Sequence, residues 1–246
     1  MLPRHDVIGL PRRIFAVCCI LAAVLLWAIH VTRFAVHWSV VSWWLLALAA
    51  AGMAAADVTS GLVHWTADTW GRASMPLLGR RFLHPFRVHH VNPDDLLTRR
   101  FLDANSDVAM IVAPILATMF WIAPETPASQ AALAFMLGFT GVGLWTNQVH
   151  QWAHMPHPPR AVRWLQDCRL ILSRHIHQRH HQSPHVTDYC IATGWCNGVL
   201  NRTDFFRRLE HAITWATGWR PRADETSFFG AVSSIQQSPA TGEAPS

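Results

Sequence analysis

Four long apolar stretches constrain the fold of this 246-residue chain more than any other feature. They cover residues 14–31, 38–56, 108–123 and 131–149, and none of them contains Asp, Glu, Lys or Arg. As helices at about 1.5 Å per residue they would cover roughly 24–29 Å, close to the hydrocarbon thickness of a bilayer. The chain is 51% apolar and only 14% charged, whereas soluble domains average about 25% charged residues. We therefore predict an all-α integral membrane protein with about four transmembrane helices.

The arginines predict how these helices are oriented. All 20 basic residues are arginines, and 19 of them fall in the N-terminal segment, between the second and third apolar stretches, or after the fourth. Only Arg33 falls on the other side. Because cytoplasmic loops carry the excess of positive charge, we predict that both termini are cytoplasmic, in a membrane of the bacterial inner-membrane type. The net charge of +5 follows from this topology and does not indicate a nucleic-acid partner.

Three regions of the chain differ in composition. Residues 1–13 are predicted to form a short N-terminal cytoplasmic segment, and residues 14–226 a single membrane domain. Residues 227–246 are rich in Ser, Pro, Gln, Ala and Thr, a composition that predicts a disordered tail. The first apolar stretch is not predicted to be a signal peptide, because no clear small-residue cleavage site follows it.

Histidine is the most unusual residue of the polar segments. Five of the 16 histidines fall between residues 175 and 185, too densely for ordinary buried side chains, each of which would need its own hydrogen-bond partner. Other short motifs carry His64 with Asp68 and His150 with His154, two i, i+4 pairs that would each share a helix face. These motifs all lie on the predicted cytoplasmic side. Because imidazole is the commonest metal ligand near neutral pH, the pattern indicates one metal centre assembled from several segments.

Ten side chains are candidate catalytic and metal-binding residues of this centre. They are His64, Asp68, His89, His90, His150, His154, His177, His180, His181 and His185. Since one tetrahedral site takes four ligands, ten candidates suit two metal ions, with some histidines orienting others. A zinc hydrolase is the weaker interpretation because the chain lacks the HExxH motif. Histidine-rich non-haem iron that activates O₂ fits better, and the bordering apolar helices favour a long-chain lipid substrate.

Several motifs together resemble a known family, the Kua-type lipid desaturases. The chain contains, in the family's order from Gly61 to Glu225, the motifs GLVHWTADTWG, PFRVHHVNP, TNQVHQWAH, HQRHHQSPH, ATGWCN and PRADE. The resemblance implies a membrane desaturase that uses two non-haem Fe ions and O₂ to act on a membrane phospholipid. It also implies a small electron carrier, a cytochrome b5-type protein or a ferredoxin, with its reductase. The family's ligand positions fall on the nine candidate histidines, and Asp68 occupies its acidic position.

The sequence leaves several alternatives open for the substrate and the function. The motifs around His64 and His89 are most similar to the plasmanylethanolamine desaturase branch, which implies conversion of a 1-O-alkyl ether phospholipid to the vinyl ether of a plasmalogen. A plant-like acyl-chain desaturase acting on phosphatidylglycerol is the alternative within the family. Two alternatives lie outside it: a metal-binding membrane stress-response protein without turnover, and a bis-histidine haem protein. The intact ligand set argues against the first, and the near absence of histidine within the apolar stretches argues against the second.

Overall fold

The computed structural model describes residues 9–37, 43–72, 75–76 and 78–222 of the chain. Most of those residues form helices, and none of them lies in a strand. The elements in chain order are α1 (Leu10–Val36), α2 (Trp43–Thr69), a π-helical turn (Gly79–Leu83), α3 (His84–Val91), α4 (Asp94–Thr98), α5 (Phe101–Thr118), a 3₁₀ turn (Met119–Trp121), α6 (Pro127–His154), α7 (Arg160–Asp167), α8 (Arg174–His180), α9 (Asn197–Arg202) and α10 (Phe205–Thr217).

The four long helices confirm the predicted class, an all-α, multi-pass membrane protein. α1, α2, α6, and α5 with the 3₁₀ turn that follows it, are each long and apolar enough to cross a membrane. They run beyond the apolar stretches: α2, for example, continues from the predicted end at Ala56 as far as Thr69. The start of the second predicted span, residues 38–42, and the predicted tail, residues 227–246, lie outside the described residues.

The long helices pack in two pairs, α1 on α5 and α2 on α6. Near one end of the first pair Arg12 donates to Asp107 (3.4 Å), and near the other end a ring nitrogen of His30 lies 2.8 Å from the carbonyl oxygen of Leu116. The two helices therefore run in the same direction. Leu116 and Leu133, both 0% exposed, belong to the apolar core where α1, α5 and α6 meet.

Glycines allow α2 and α6 to approach closely. A Cβ added at Gly138 would overlap the carbonyl oxygen of Ala49, and one added at Gly52 would overlap that of Phe135. Helices in lipid gain little from burying apolar side chains, because the lipid is equally apolar, so close packing at small residues stabilises their association. This contact fixes α2 against α6, and with them the polar residues at the ends of both helices.

We expect Gly138→Ala to destabilise the protein by about 1–3 kcal/mol, the usual cost of overpacking a tight contact. The matched control is Gly143→Ala on the same helix, where the nearest atom to an added Cβ is Cγ2 of Val112, 3.9 Å away. The control should be neutral or slightly stabilising, because alanine is the better helix former. Unfolding titrations in detergent micelles measure the free energy of unfolding of both variants. Equal values for Gly138→Ala and Gly143→Ala would contradict the close contact.

The shorter helices cover one end of the bundle, the end at which α2 and α6 finish; we call it the polar end. α3 packs on α2, α4 and α8 pack on α6, and α9 packs on α10. An aromatic cluster of Trp65, Tyr189 and Phe206, each 3% exposed, joins the end of α2 to the segment after α8 and to α10. The cover buries the sides of the last turns of α2 and α6 that face it, whereas Thr66 in the last turn of α2 stays exposed.

Arg33, the one arginine that lies outside the predicted cytoplasmic segments, is at the opposite end of the bundle. Arg33 donates to the carbonyl oxygens of Met119 (3.3 Å) and Ile122 (2.9 Å), just beyond the end of α5. Carbonyl groups at the end of a helix lack intrahelical partners, and a basic side chain satisfies them. His30, on the same helix as Arg33, also bonds to this end of α5. Both residues therefore join α1 to α5, far from the predicted metal centre.

Candidate metal centre

The last turns of α2 and α6 each carry one pair of predicted ligands into the polar end. In both pairs the residues are four apart, so the two side chains lie on one helix face. His64 and Asp68, on α2, are 0% and 4% exposed, and His64 Nε2 lies 3.3 Å from Asp68 Oδ2. His150 and His154, on α6, face each other with their Nε2 atoms 3.3 Å apart. The predicted i, i+4 geometry is present in both helices.

The short helices α3 and α8 supply adjacent histidines that point in different directions. Successive residues on a helix are separated by about 100°, so two neighbouring histidines cannot share a direction. His90 and His180 turn toward Asp68, with Nε2 to Oδ2 distances of 3.0 and 3.6 Å. His89 and His181 turn away from it toward each other, with ring centroids 5.1 Å apart. In each adjacent pair, therefore, one histidine faces Asp68 and the other faces away from it.

The predicted ligands form two groups, and within each group the potential ligand atoms all lie within 4.8 Å of one another. The five-histidine group consists of His89, His150, His154, His177 and His181. The Asp68 group consists of His64, Asp68, His90 and His180. The groups are adjacent, since the rings of His90 and His181 are 4.9 Å apart and those of His64 and His150 are 5.6 Å apart. The arrangement suits one metal ion in each group.

A triangle of ring nitrogens in the five-histidine group fits a cation. The Nε2 atoms of His150, His154 and His177 are separated by 2.9, 3.3 and 2.7 Å. A neutral imidazole nitrogen carries either one proton or one lone pair, so hydrogen bonds alone cannot satisfy three of them at once. Three lone pairs directed at one ion would be satisfied together, since ligands about 2.1 Å from an ion and at right angles lie about 3 Å apart.

Unpaired polar atoms in both groups also fit bound metal. His89 Nε2 and Asp68 Oδ1 are buried and have no hydrogen-bond partner among the described residues. An unsatisfied buried donor or acceptor costs about 1–3 kcal/mol, and more when it is charged. Coordination of a divalent ion would remove that cost, and nitrogen with carboxylate oxygen is a donor set that iron, manganese and zinc accept.

Backbone carbonyl groups fix the tautomers of two histidines in the Asp68 group. His180 Nδ1 lies 2.7 Å from the carbonyl oxygen of Thr187, and His64 Nδ1 lies 3.3 Å from that of Tyr189. A carbonyl oxygen only accepts, so Nδ1 carries the proton in both rings. The Nε2 atoms then present lone pairs toward Asp68, which is the usual way in which a second contact orients a metal-binding imidazole.

Burial keeps three members of the five-histidine group, His89, His177 and His181, neutral. It lowers the pKa of His89 and His177 well below the usual value, and mutual repulsion with neighbouring histidines lowers both further. Burial likewise lowers the pKa of His181, with His90 as the next cause. A charged imidazole has no lone pair for a metal, so depressed pKa values leave these rings in the form that binds metal near neutral pH.

His185 is the one predicted ligand that the structure places outside both groups. It has a left-handed backbone conformation (φ 58°), and its Nδ1 lies 3.0 Å from the carbonyl oxygen of His180. Its ring is 5.0 Å from that of His90. Burial and the nearby His90 lower the pKa of His185 to about 4. His185 therefore borders the Asp68 group, and its role as a ligand stays a prediction.

The lipid desaturase domain is the family model that matches this chain, over residues 53–224. The match covers most of the chain and contains both ligand groups. The chain belongs to the lipid desaturase family. This confirms the family predicted from the motifs.

Relatives within the lipid desaturase family include proteins of two kinds. The chain is 40% identical over 188 residues to a plasmanylethanolamine desaturase of Myxococcus xanthus, covering 75% of this chain and 66% of that protein. It is 36% identical over 164 residues to plasmanylethanolamine desaturase 1 of Mus musculus (64% and 60%). It is 34% identical over 174 residues to the chloroplastic fatty acid desaturase 4-like 1 of Arabidopsis thaliana (65% and 57%). The matches thus span between 57% and 66% of these relatives' own length, less than two thirds in each case. The comparison with solved structures found no match.

Asp57 is a buried residue within the desaturase domain that the sequence analysis did not single out. Its side chain is 0% exposed. Oδ1 accepts from the backbone N–H groups of Thr193 (2.7 Å) and Gly194 (2.9 Å), and Oδ2 accepts from that of Cys196 (3.1 Å). The ATGWCN motif is therefore a loop folded around a carboxylate of α2. An acidic residue at the end of an apolar membrane stretch was the signal that could have found it.

The same loop is connected to the metal centre through the backbone. Asn197 accepts from the N–H of Cys190 (2.9 Å) and donates to its carbonyl oxygen (3.0 Å). This holds the segment before the loop, in which Tyr189 and Thr187 provide the carbonyl oxygens that orient His64 and His180. Asp57 and Asn197 thus position two predicted ligands without belonging to either ligand group.

We expect Asp57→Ala to destabilise the protein by about 3 kcal/mol or more, because it removes three charge-assisted hydrogen bonds and leaves three N–H groups without their acceptor. Metal binding at the candidate centre should weaken as well, since the loop holds the carbonyl groups that orient two predicted ligands. The control is Thr59→Ala on the same helix, where an exposed hydroxyl donates to the carbonyl oxygen of Ala55. Melting curves and metal content of both variants test this. A variant at position 57 that behaves like the control would contradict the anchoring role.

Proposed function

We propose that this chain is an O₂-dependent, di-iron lipid desaturase that forms the vinyl ether of plasmalogens from 1-O-alkyl ether phospholipids. The observation that carries the proposal is the pair of adjacent ligand groups at the polar end of four membrane helices, in a chain of the lipid desaturase family. Two relatives named plasmanylethanolamine desaturases support the substrate.

The donor set supports iron as the metal. Eight imidazoles and one carboxylate make up the two groups, a mainly nitrogen donor set that suits redox-active iron better than calcium or magnesium, which prefer oxygen ligands. When bound, two irons would supply the reductive activation of O₂ that removal of hydrogen from unactivated carbon requires. Protein side chains alone cannot supply that chemistry.

The residues of the chain have three roles in this proposal. The buried imidazoles provide lone pairs in directions that the helices and the backbone carbonyl groups fix. Asp68 provides the one negative charge, toward which His64, His90 and His180 converge. The deep burial of His64, His177 and His180, each at most 1% exposed, keeps bulk water from the centre, which limits unproductive loss of the oxidant.

The reaction also requires electrons from outside the chain. Two C–H bonds on adjacent carbons break, and a C=C bond forms in place of the C–C bond. The two electrons and two protons released, with two electrons from a carrier and two protons from solvent, reduce O₂ to two molecules of water. We propose a cytochrome b5-type protein or a ferredoxin, with its reductase, as the carrier.

The proposed topology has both termini in the cytoplasm, in a membrane of the bacterial inner-membrane type. The bias of the arginines supports it, and the polar end, where α2 and α6 finish, is then the cytoplasmic end. The metal centre would therefore act on lipids of the cytoplasmic leaflet and receive electrons from a cytoplasmic carrier.

Lipid mass spectrometry tests the reaction, in a host that contains alkyl ether lipids but no plasmalogens. We expect an acid-labile product that is lighter than its precursor by two hydrogens, absent when the host expresses His181→Ala. The similarity to the plant fatty acid desaturase 4-like protein makes acyl-chain desaturation the alternative. An acid-stable alkene in phosphatidylglycerol, with no vinyl ether, would favour that alternative.

A further inference from the structure

An apolar groove runs along α6 on a different side from the metal ligands. It has a volume of about 350 Å³, within the range of about 300–1,000 Å³ usual for ligand pockets. Its walls include Met53 of α2, Val142, Trp145 and Trp152 of α6, and Leu165 and Ile171 of the α7 region. The lining residues carry no charged side chain. None of the residues that line the groove belongs to either ligand group.

The groove extends from the middle of the membrane helices to the polar end. Its walls on α6 begin at Gly141 and end at Trp152, which corresponds to roughly 16 Å along a helix axis at about 1.5 Å per residue. At the far end Met53 lies in the middle of α2, and at the near end Leu165 lies on α7, beyond the membrane helix. The groove therefore follows the direction of a lipid tail in one leaflet.

The groove also opens toward the lipid. Trp145, which lies within the membrane-spanning part of α6, is 48% exposed, and Leu170 at the other end is 44% exposed. The opening of the groove is thus continuous with the surface of the membrane helices. A water-soluble ligand would find few polar partners there, whereas a hydrocarbon chain could enter sideways from the bilayer.

Charges at the near end complement a phospholipid headgroup. Arg163 and Arg169 are exposed and lie within two residues of the groove residues Leu165 and Leu170. Exposed Trp164 (61%) lies between them, as is common where a protein meets the membrane–water interface. Arginine donors at that depth suit phosphate oxygens.

We propose that this groove binds one hydrocarbon chain of the phospholipid substrate, with the headgroup beside α7. The inference rests on the proposed function in taking a membrane lipid as the substrate. Val149 lines the groove and is followed directly by the ligand His150. Val149 also packs in one apolar cluster with Ile176, which directly precedes the ligand His177. A thin apolar wall at the headgroup end therefore separates the groove from the five-histidine group, so the carbons nearest the headgroup lie closest to the centre.

Photo-crosslinking tests the groove without relying on turnover. The probe is a phosphatidylethanolamine with a diazirine on its sn-1 chain, in vesicles of phosphatidylethanolamine and phosphatidylglycerol that contain the full-length protein. We expect labelled peptides to map to residues 141–152 and 165–171. Val142→Trp, which fills the groove, should lower that labelling by about tenfold, the order expected for obstructing an apolar pocket. The matched control is Ile111→Trp on the lipid-exposed face of α5 (61% exposed), which should leave labelling unchanged.

The outcomes separate this inference from the proposed function. Labelling of the groove in wild-type protein that forms no alkene would support the groove and contradict the desaturase reaction. Alkene formation with labelling spread evenly over all membrane helices would contradict the groove and leave the reaction standing. Equal labelling and equal activity of Val142→Trp and Ile111→Trp would also overturn the groove. The distribution of crosslinks in the wild-type protein tests the groove even if Val142→Trp fails to fold.

Discussion

Replacing His177 by alanine should abolish desaturation, with a loss of at least about 100-fold, comparable to or larger than the effect of disturbing residues that support metal ligands. His177 is the central residue of the five-histidine group. Its Nε2 atom lies 2.9 Å from that of His150, 2.7 Å from that of His154 and 3.1 Å from that of His181. Removing it takes one donor from the ion and leaves a gap among the remaining nitrogens. We expect the variant to retain one of the two irons of the proposed centre.

The matched control for this variant is His175→Ala. His175 lies on the same short helix, α8, but is exposed and belongs to neither ligand group. Iron content and product formation should stay at the wild-type level in the control. If His177→Ala kept wild-type activity, or if both variants lost iron equally, the five-histidine group could not be a metal site.

Replacing Asp68 by asparagine should have an effect of the same size through a different cause. The carboxylate oxygen Oδ2 lies 3.0–3.6 Å from the Nε2 atoms of His64, His90 and His180. An amide of the same shape lacks the negative charge that stabilises a divalent ion. Its NH₂ group can instead donate to the imidazole lone pairs. We therefore expect at least about 100-fold lower activity and the loss of one iron, with no loss of stability in the metal-free protein.

That separation of metal binding from stability makes Asp68→Asn informative. Asp167→Asn, at the exposed end of α7, is the control for loss of one carboxylate. It should change neither iron content nor activity. Melting temperatures of the metal-free proteins, measured after chelation, should be similar for the two variants. A marked drop in stability for Asp68→Asn alone would indicate that Asp68 has a structural role and does not bind metal.

The apolar stretches predicted the membrane helices well, but they predicted the ends less well. Hydrophobicity shows which part of a helix contacts lipid. It does not predict how far the helix continues where other parts of the protein surround it. α2 continues to Thr69 because its last turns are covered by α3, α10 and the segment after α8, which receive the polar side chains of His64 and Asp68. The functional part of α2 is therefore the part that its hydrophobicity did not predict.

Sequence spacing anticipated which histidines share a helix face, and the two i, i+4 pairs have that geometry. It could not divide the ligands between two groups, because His89 and His90 are adjacent in sequence yet lie in different groups. Their separation depends on how α3 is oriented against α2 and α6. His185 shows the same limit, since its position is set by a loop conformation with positive φ. Asp57 carried a signal in its position on an apolar helix, but its partners are far away in the chain.

The most direct test of the central claim is the iron content of the purified protein, reconstituted with ferrous iron without oxygen and examined by Mössbauer spectroscopy. The two ligand groups predict two irons per chain, in two inequivalent sites, one with only histidine ligands and one that includes Asp68. His177→Ala and Asp68→Asn should each remove one site, and a different one. A single site, or preferential binding of zinc with no change in either variant, would contradict the di-iron centre.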